Sequence, residues 1–103
     1  MSKFGMFNKF TAVEGQREHL LQQLLHAAAL VEDAAGCELY LVSTSPTESD
    51  VVWVAEIWDS QDNHRASLSN VAARELIQQT MPLLASMPEQ IPFTPLGGKG
   101  FTA

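Results

Sequence analysis

The chain has 103 residues, of which 46% are hydrophobic and 17% charged, with 12 acidic against 6 basic side chains and a net charge of −6. That length predicts one domain with one core, and the hydrophobic content excludes a disordered chain. Lys3 and Lys9 lie close in sequence but make no basic patch, so neither nucleic acid nor an anionic membrane surface is an expected partner.

Residues 3–11 alternate, with Phe4, Met6, Asn8 and Phe10 on one side, and period two predicts a strand. Asn8 is then an amide on an otherwise apolar face. Gly15 breaks the pattern and a helix follows to about Ala34. Leu20, Leu24, Ala27 and Val31, with Leu21, Leu25 and Ala28 beside them, form a wide apolar stripe suited to covering a sheet. Gly36 is the expected C-cap. Residues 37–44 and 51–58 read as strands joined through the polar loop 45–50, a hairpin. Asp59-Ser60 supplies an N-cap for a second helical region to about Leu68, and after Ser69-Asn70 a further helix runs from Val71 to about Met81, where Pro82 forces a turn. Residues 90–96 read as a last strand, placed at an edge by Pro92 and Pro95.

The order is β-α-β-β-α-β with the second helical segment split, an α+β, ferredoxin-like antiparallel sheet with helices on one face. The core spans about 3–96, with a tail over 97–103. Phe7, Tyr40, Val42, Val51, Trp53 and Ile57 offer more apolar strand surface than one helical layer covers, which predicts a homodimer. No apolar run approaches the roughly 20 residues of a membrane helix, and the N-terminus has none suited to a signal peptide. A single cysteine, Cys37, cannot form an intrachain disulfide and fits a reducing compartment. The expectation is a soluble cytoplasmic protein with no membrane partner.

Gly15 opening the first helix, Gly36-Cys37 before the second strand, and Glu56-Ile57-Trp58-Asp59-Ser60 leading into the second helical region resemble the antibiotic biosynthesis monooxygenase family over roughly residues 3–96. The resemblance implies a dimeric α/β barrel in which two sheets pack face to face, with a pocket between each sheet and its helices. It also implies chemistries from cofactor-independent oxidation of quinols and polyketide anthrones to haem degradation, so fold does not settle function. The haem-degrading branch uses an Asn on the first strand, a Trp in the second helical region and a His on the last long helix. Asn8 matches the first, whereas residues 64–70 contain no Trp and no His follows His64. Quinol-oxidising members carry a pattern like A-H-x-A-H, in which His64 fits the first His and Ser67 replaces the second.

The resemblance therefore implies a monooxygenase of quinol-like or polyketide-like aromatics that uses dioxygen and no cofactor or metal. The alternatives are a non-catalytic small-molecule-binding or stress-associated dimer, and an isomerase or lyase on the same fold. Asn8 and His64 are the candidate catalytic residues. Asn8 either donates to negative charge on the substrate, as in an oxyanion site, or bonds backbone at a bulge. His64 is either a general base or a surface helix histidine. Phe4, Met6, Phe10 and Trp58 are candidate substrate-binding residues, with Trp58 as core the competing reading. Glu56 reads as a paired structural carboxylate or, if buried, a base. His19 and His26 lie two helical turns apart, too far to share a metal. Cys37 reads as a small hydrophobe, and Met81 and Met87 as core or pocket lining. Gly97–Gly100 has no helix after it and is no phosphate loop.

Overall fold

The computed structural model describes residues 2–100. In chain order they form β1 (Phe4–Thr11), α1 (Arg17–Val31), β2 (Cys37–Thr44), β3 (Val51–Trp58), α2 (Gln61–Ser67), α3 (Val71–Thr80), a 3₁₀ turn (Met81–Leu83) and β4 (Glu89–Phe93). The strands make one sheet in the order β2-β3-β1-β4, every neighbouring pair antiparallel. This is the ferredoxin-like α+β topology, because β3 inserts between the two strands that α1 connects.

Alternation fixes what each strand shows to the helices. β3 turns Val52, Val54, Glu56 and Trp58 inward, and all four are buried. Leu20 and Leu24 of α1 pack on Val52 and Val54, with Ala12 and Leu83 closing the cluster. The two short helices are separated by capping chemistry. The Ser60 hydroxyl accepts from the Asn63 amide at the start of α2, and the Asn70 side chain accepts from the Ala72 and Ala73 amides at the start of α3. Among the described residues, no helix is long and apolar enough to cross a membrane.

Several elements depart from the sequence reading. α1 ends at Val31 rather than Ala34, because the Ala34 amide bonds back to Val31 (3.0 Å), three residues rather than four behind, and tightens the chain out of the helix. Gly36 consequently lies beyond the cap. Its φ of +82° serves the turn into β2, where its carbonyl accepts from the Asp59 amide at 2.8 Å. Leu25, part of the stripe by spacing, is 45% exposed. β4 stops at Phe93, so Pro92 lies in an edge strand and Pro95 beyond it. Tyr40 and Val42 pack against the core on the helical side, and Val51 is buried. The uncovered face instead carries Phe7, Leu39, Leu41 and Ile91 as exposed apolar side chains, with Phe7 stacked on Phe93 at 4.4 Å between ring centroids. Residues 101–103 of the expected tail lie outside the described residues.

Candidate functional site

Between the helical face of the sheet and the helices lies a cavity of about 360 Å³, a size typical of small-ligand sites. Its walls are mostly apolar. Polar groups line it from both the sheet and the helices, and those of the sheet are organised around one carboxylate, Glu56, which is only 9% exposed.

The backbone geometry explains the cluster. Glu56 and Trp58 are two apart on β3 and so share a face. Asn8 on β1 pairs with Val54, which makes Glu56 its diagonal neighbour across the ladder. Asn8 Nδ2 donates to Glu56 Oε2 at 2.8 Å and to the Val54 carbonyl at 3.3 Å. Trp58 Nε1 donates to Glu56 Oε1 at 3.1 Å. On the other side, Gln90 Nε2, from the register partner of Asn8 on β4, donates to Asn8 Oδ1 at 3.2 Å. A relay of polar side chains thus crosses the sheet from β4 to β3. Burying an unpaired carboxylate is costly, and these donors meet that cost.

His64 enters from α2, its Nε2 lying 3.7 Å from Glu56 Oε1. Its ring sits 5.0 Å from that of Phe4 and edge-on to Trp58 at 5.7 Å. Ser67 also lines the cavity and donates its hydroxyl to the His64 carbonyl (2.6 Å), tying the two positions together within one turn. Tyr40 sits opposite Glu56 in the β2–β3 register and lines the cavity. Burial, then the Glu56 carboxylate, then Cys37, push its hydroxyl well above the ordinary phenol range, so it stays protonated. Burial, followed by Glu56, likewise raises the Cys37 thiol, which keeps it from being a thiolate nucleophile.

Of the residues singled out in the sequence, Asn8, Phe10, Trp58 and His64 line the cavity together with Glu56. Phe4 and Met6 share their strand face but are not among its lining residues. His64 packs its ring tilted against Phe4, and half-buried Met6 is held between its register partners Glu56 and Pro92. Both amide hydrogens of Asn8 are engaged by Glu56 and Val54, so its donors point at protein rather than at a ligand. Met81 and Met87 line the cavity, while His19 and His26 are exposed on α1. Among the described residues, no three His, Cys, Asp or Glu side chains gather as a metal site. Gln23 and Gln90 are lining residues that sequence reasoning passed over, and Tyr40, read there as strand surface for a second copy, lines the cavity instead. For Gln23 a signal existed, because Gln23, Ala27 and Leu30 recur at i, i+4 and i+7 on one side of α1.

The family model for the antibiotic biosynthesis monooxygenases matches residues 4–79. A crystal structure from Chloroflexus aurantiacus that carries the family's name is 34% identical, covers 96% of this chain and 98% of its own, and superimposes with a TM-score of 0.86. Proteins of the same name from Caulobacter crescentus (20% identity, 93% and 92% of the two chains, TM-score 0.87) and Nitrosomonas europaea (8% identity, 96% and 95%, TM-score 0.89) share the fold. Among curated proteins, none matches the chain significantly. With the family model spanning well over half of its length and a structural relative above 30% identity across nearly all of it, the chain belongs to the antibiotic biosynthesis monooxygenase family.

Proposed function

We propose that the protein is a cofactor-independent monooxygenase that oxidises hydroquinone-like or polyketide-like aromatics with dioxygen and acts as a homodimer. The observation that carries this reading is a histidine set 3.7 Å from a buried carboxylate at the wall of a largely apolar cavity. Family membership supports the reaction class.

Nε2 of His64 lies 3.7 Å from Glu56, too far for a hydrogen bond but near enough for the carboxylate to favour positive charge on the ring, and the imidazole is the group that takes a proton from the substrate. Removing a proton from an acidic phenol or anthrone gives an electron-rich anion. That anion passes one electron to dioxygen, and the resulting radical pair joins at the ring carbon. With the proton returned from His64, the product is a hydroperoxide. The hydroperoxide then loses the C–H proton and cleaves its O–O bond, leaving a carbonyl on the ring and releasing water. One oxygen atom enters the product and the other leaves as water. Asn8 holds Glu56 in place, Phe10 and Trp58 form flat walls, and Phe4 backs the imidazole. Apolar walls exclude bulk water from the anion, and the protonated Tyr40 hydroxyl is a donor suited to its developing charge. A second copy of the chain covers the apolar sheet face, where Leu41 is 54% exposed.

Oxygen uptake by metal-free protein against a panel of quinols, naphthols and anthrones tests the reading. Uptake above the autoxidation blank is expected, falling roughly 100-fold or more in His64→Gln. No uptake by folded protein across the panel would remove the oxygenase reading. Turnover that continued without dioxygen would point instead to an isomerase or lyase.

A further inference from the structure

The hydrogen-bonding groups of the cavity and its uncovered apolar surface come from different places. Glu56 and Tyr40 meet it from the sheet, with His64 set against Glu56 from α2. The hydroxyls that the helices bring are engaged with their own backbones. Ser67 donates to the His64 carbonyl at 2.6 Å and Thr80 to the Leu76 carbonyl at 2.7 Å. What the helices and the segment ahead of β4 turn to the cavity is mostly apolar. Leu68 follows His64 by one turn, Ile77 lies on α3, Met81 caps its end, and Met87 precedes β4. These four line the cavity and yet stay between 45% (Ile77) and 73% (Met87) exposed, whereas Leu24 and Leu76 of the same wall are buried. They therefore form its rim. Accessible apolar surface that continues into a cavity is unfavourable in water and marks where an apolar part of a ligand lies.

We propose that the site takes an amphipathic aromatic, with a phenolic ring against Glu56 and His64 and an apolar chain running out along Leu68, Ile77, Met81 and Met87. The inference rests on the aromatic-substrate reading above and adds the chain, which that reading does not require. A bare ring would leave the rim in water, and each methylene laid on the rim adds affinity. Two of the four side chains are methionines, whose unbranched, polarisable thioethers adapt to chains of differing shape. The chain is a neutral hydrocarbon, because among the described residues no lysine or arginine lines the cavity to pair with an acidic chain end.

The test is calorimetric titration with 4-ethylphenol, 4-butylphenol and 4-hexylphenol under anaerobic conditions, so that binding is read without turnover. Wild-type protein is expected to bind the hexyl compound about tenfold or more tightly than the ethyl compound. The double variant Ile77→Ser, Met81→Ser should cut that ratio to about threefold or less. Both side chains are accessible, so the fold tolerates the change. Val71→Ser removes an exposed apolar side chain of α3 that does not line the cavity, and should keep the full ratio. That control separates contact at the rim from general adhesion of the chain. A flat series in the wild type, as when a second copy already covers the rim, would overturn the proposal. So would a ratio that survives the double variant, a ratio lost equally in Val71→Ser, or failure of all three phenols to bind. Chain-dependent binding without oxygen uptake in air would remove the oxygenase and keep the chain contact. Uptake on aromatics without a chain, together with a flat series, would do the reverse.

Discussion

The two faces of the sheet invert the usual rule of burial in opposite ways. The face under the helices buries a carboxylate and an amide, Glu56 and Asn8, at the heart of an apolar layer, with the exposed Gln90 of the edge strand donating to Asn8. The open face leaves Phe7, Leu39, Leu41 and Ile91 to solvent, with Lys9 positioned over Trp53 (Nζ to ring centroid 5.6 Å) as one of its few polar side chains. Polar groups inside and apolar groups outside are each unfavourable unless something offsets them. Inside, the offset is internal, since donors from β1, β3 and β4 converge on the buried groups. Outside, the proposed second copy would supply it. On the proposed reading the covered face serves chemistry and the open face association, and perturbations of the two should register in different measurements.

The largest expected effect is on the covered face. Trp58 is fully buried, so Trp58→Ala removes a large ring and one of the donors to Glu56, and should destabilise the fold by about 3–5 kcal/mol in denaturant unfolding. A loss below about 1 kcal/mol would mean that the covered face does not set stability. Glu56→Leu comes next. It strips Trp58 Nε1 and Asn8 Nδ2 of their acceptor and should cost about 2–4 kcal/mol. Adding Asn8→Ala to it should cost much less than Asn8→Ala alone, and additivity of the two would refute the shared network.

A smaller effect appears with pH. The folded state raises the Tyr40 hydroxyl above its ordinary value, so its contribution is complete below about pH 10. Above that pH the unfolded chain ionises first and unfolding releases a proton, so stability is progressively lost as pH rises toward the folded-state value. Tyr40→Phe should show a shallower alkaline decline. Because the chain has a single tyrosine, phenolate absorbance reports Tyr40 alone. Titration near pH 10 with the fold intact would contradict its burial. The smallest effect on the isolated chain is expected from Leu41→Glu, within about 0.5 kcal/mol of wild type because the side chain is already exposed. The same substitution should abolish self-association in sedimentation experiments. An unchanged oligomeric state would break the assignment of the open face to a second copy.

How much of this was legible in the sequence depended on the range of the interaction. Strict alternation in β1 placed Asn8 on an apolar strand face, and period two placed Glu56 beside Trp58. Polar caps at Ser60 and Asn70 marked the split between α2 and α3. The central position of Glu56 was not visible, because it depends on the β1–β3 register across almost fifty residues, and one strand's pattern does not fix its partner's offset. Tyr40 was ambiguous for a related reason. In Leu39-Tyr40-Leu41-Val42 both faces are apolar, and no alternation says which side meets the helices. Gln23 lay at the border of a broad stripe, where a glutamine reads as solvent-facing. Only the packed structure shows that it lines the cavity.

The cavity draws its lining from every strand and every α-helix, from Phe10 on β1 and Gln23 on α1 to Thr80 on α3 and Gln90 on β4. No strand or α-helix can unfold without dismantling part of that wall. Occupancy is therefore linked to the global unfolding equilibrium rather than to a local one, and a ligand held at 100 times its dissociation constant should add about 2.7 kcal/mol to the stability of the whole chain. The fold thereby serves as its own assay. A rise in melting temperature identifies what fills the cavity whether or not it is chemically transformed there.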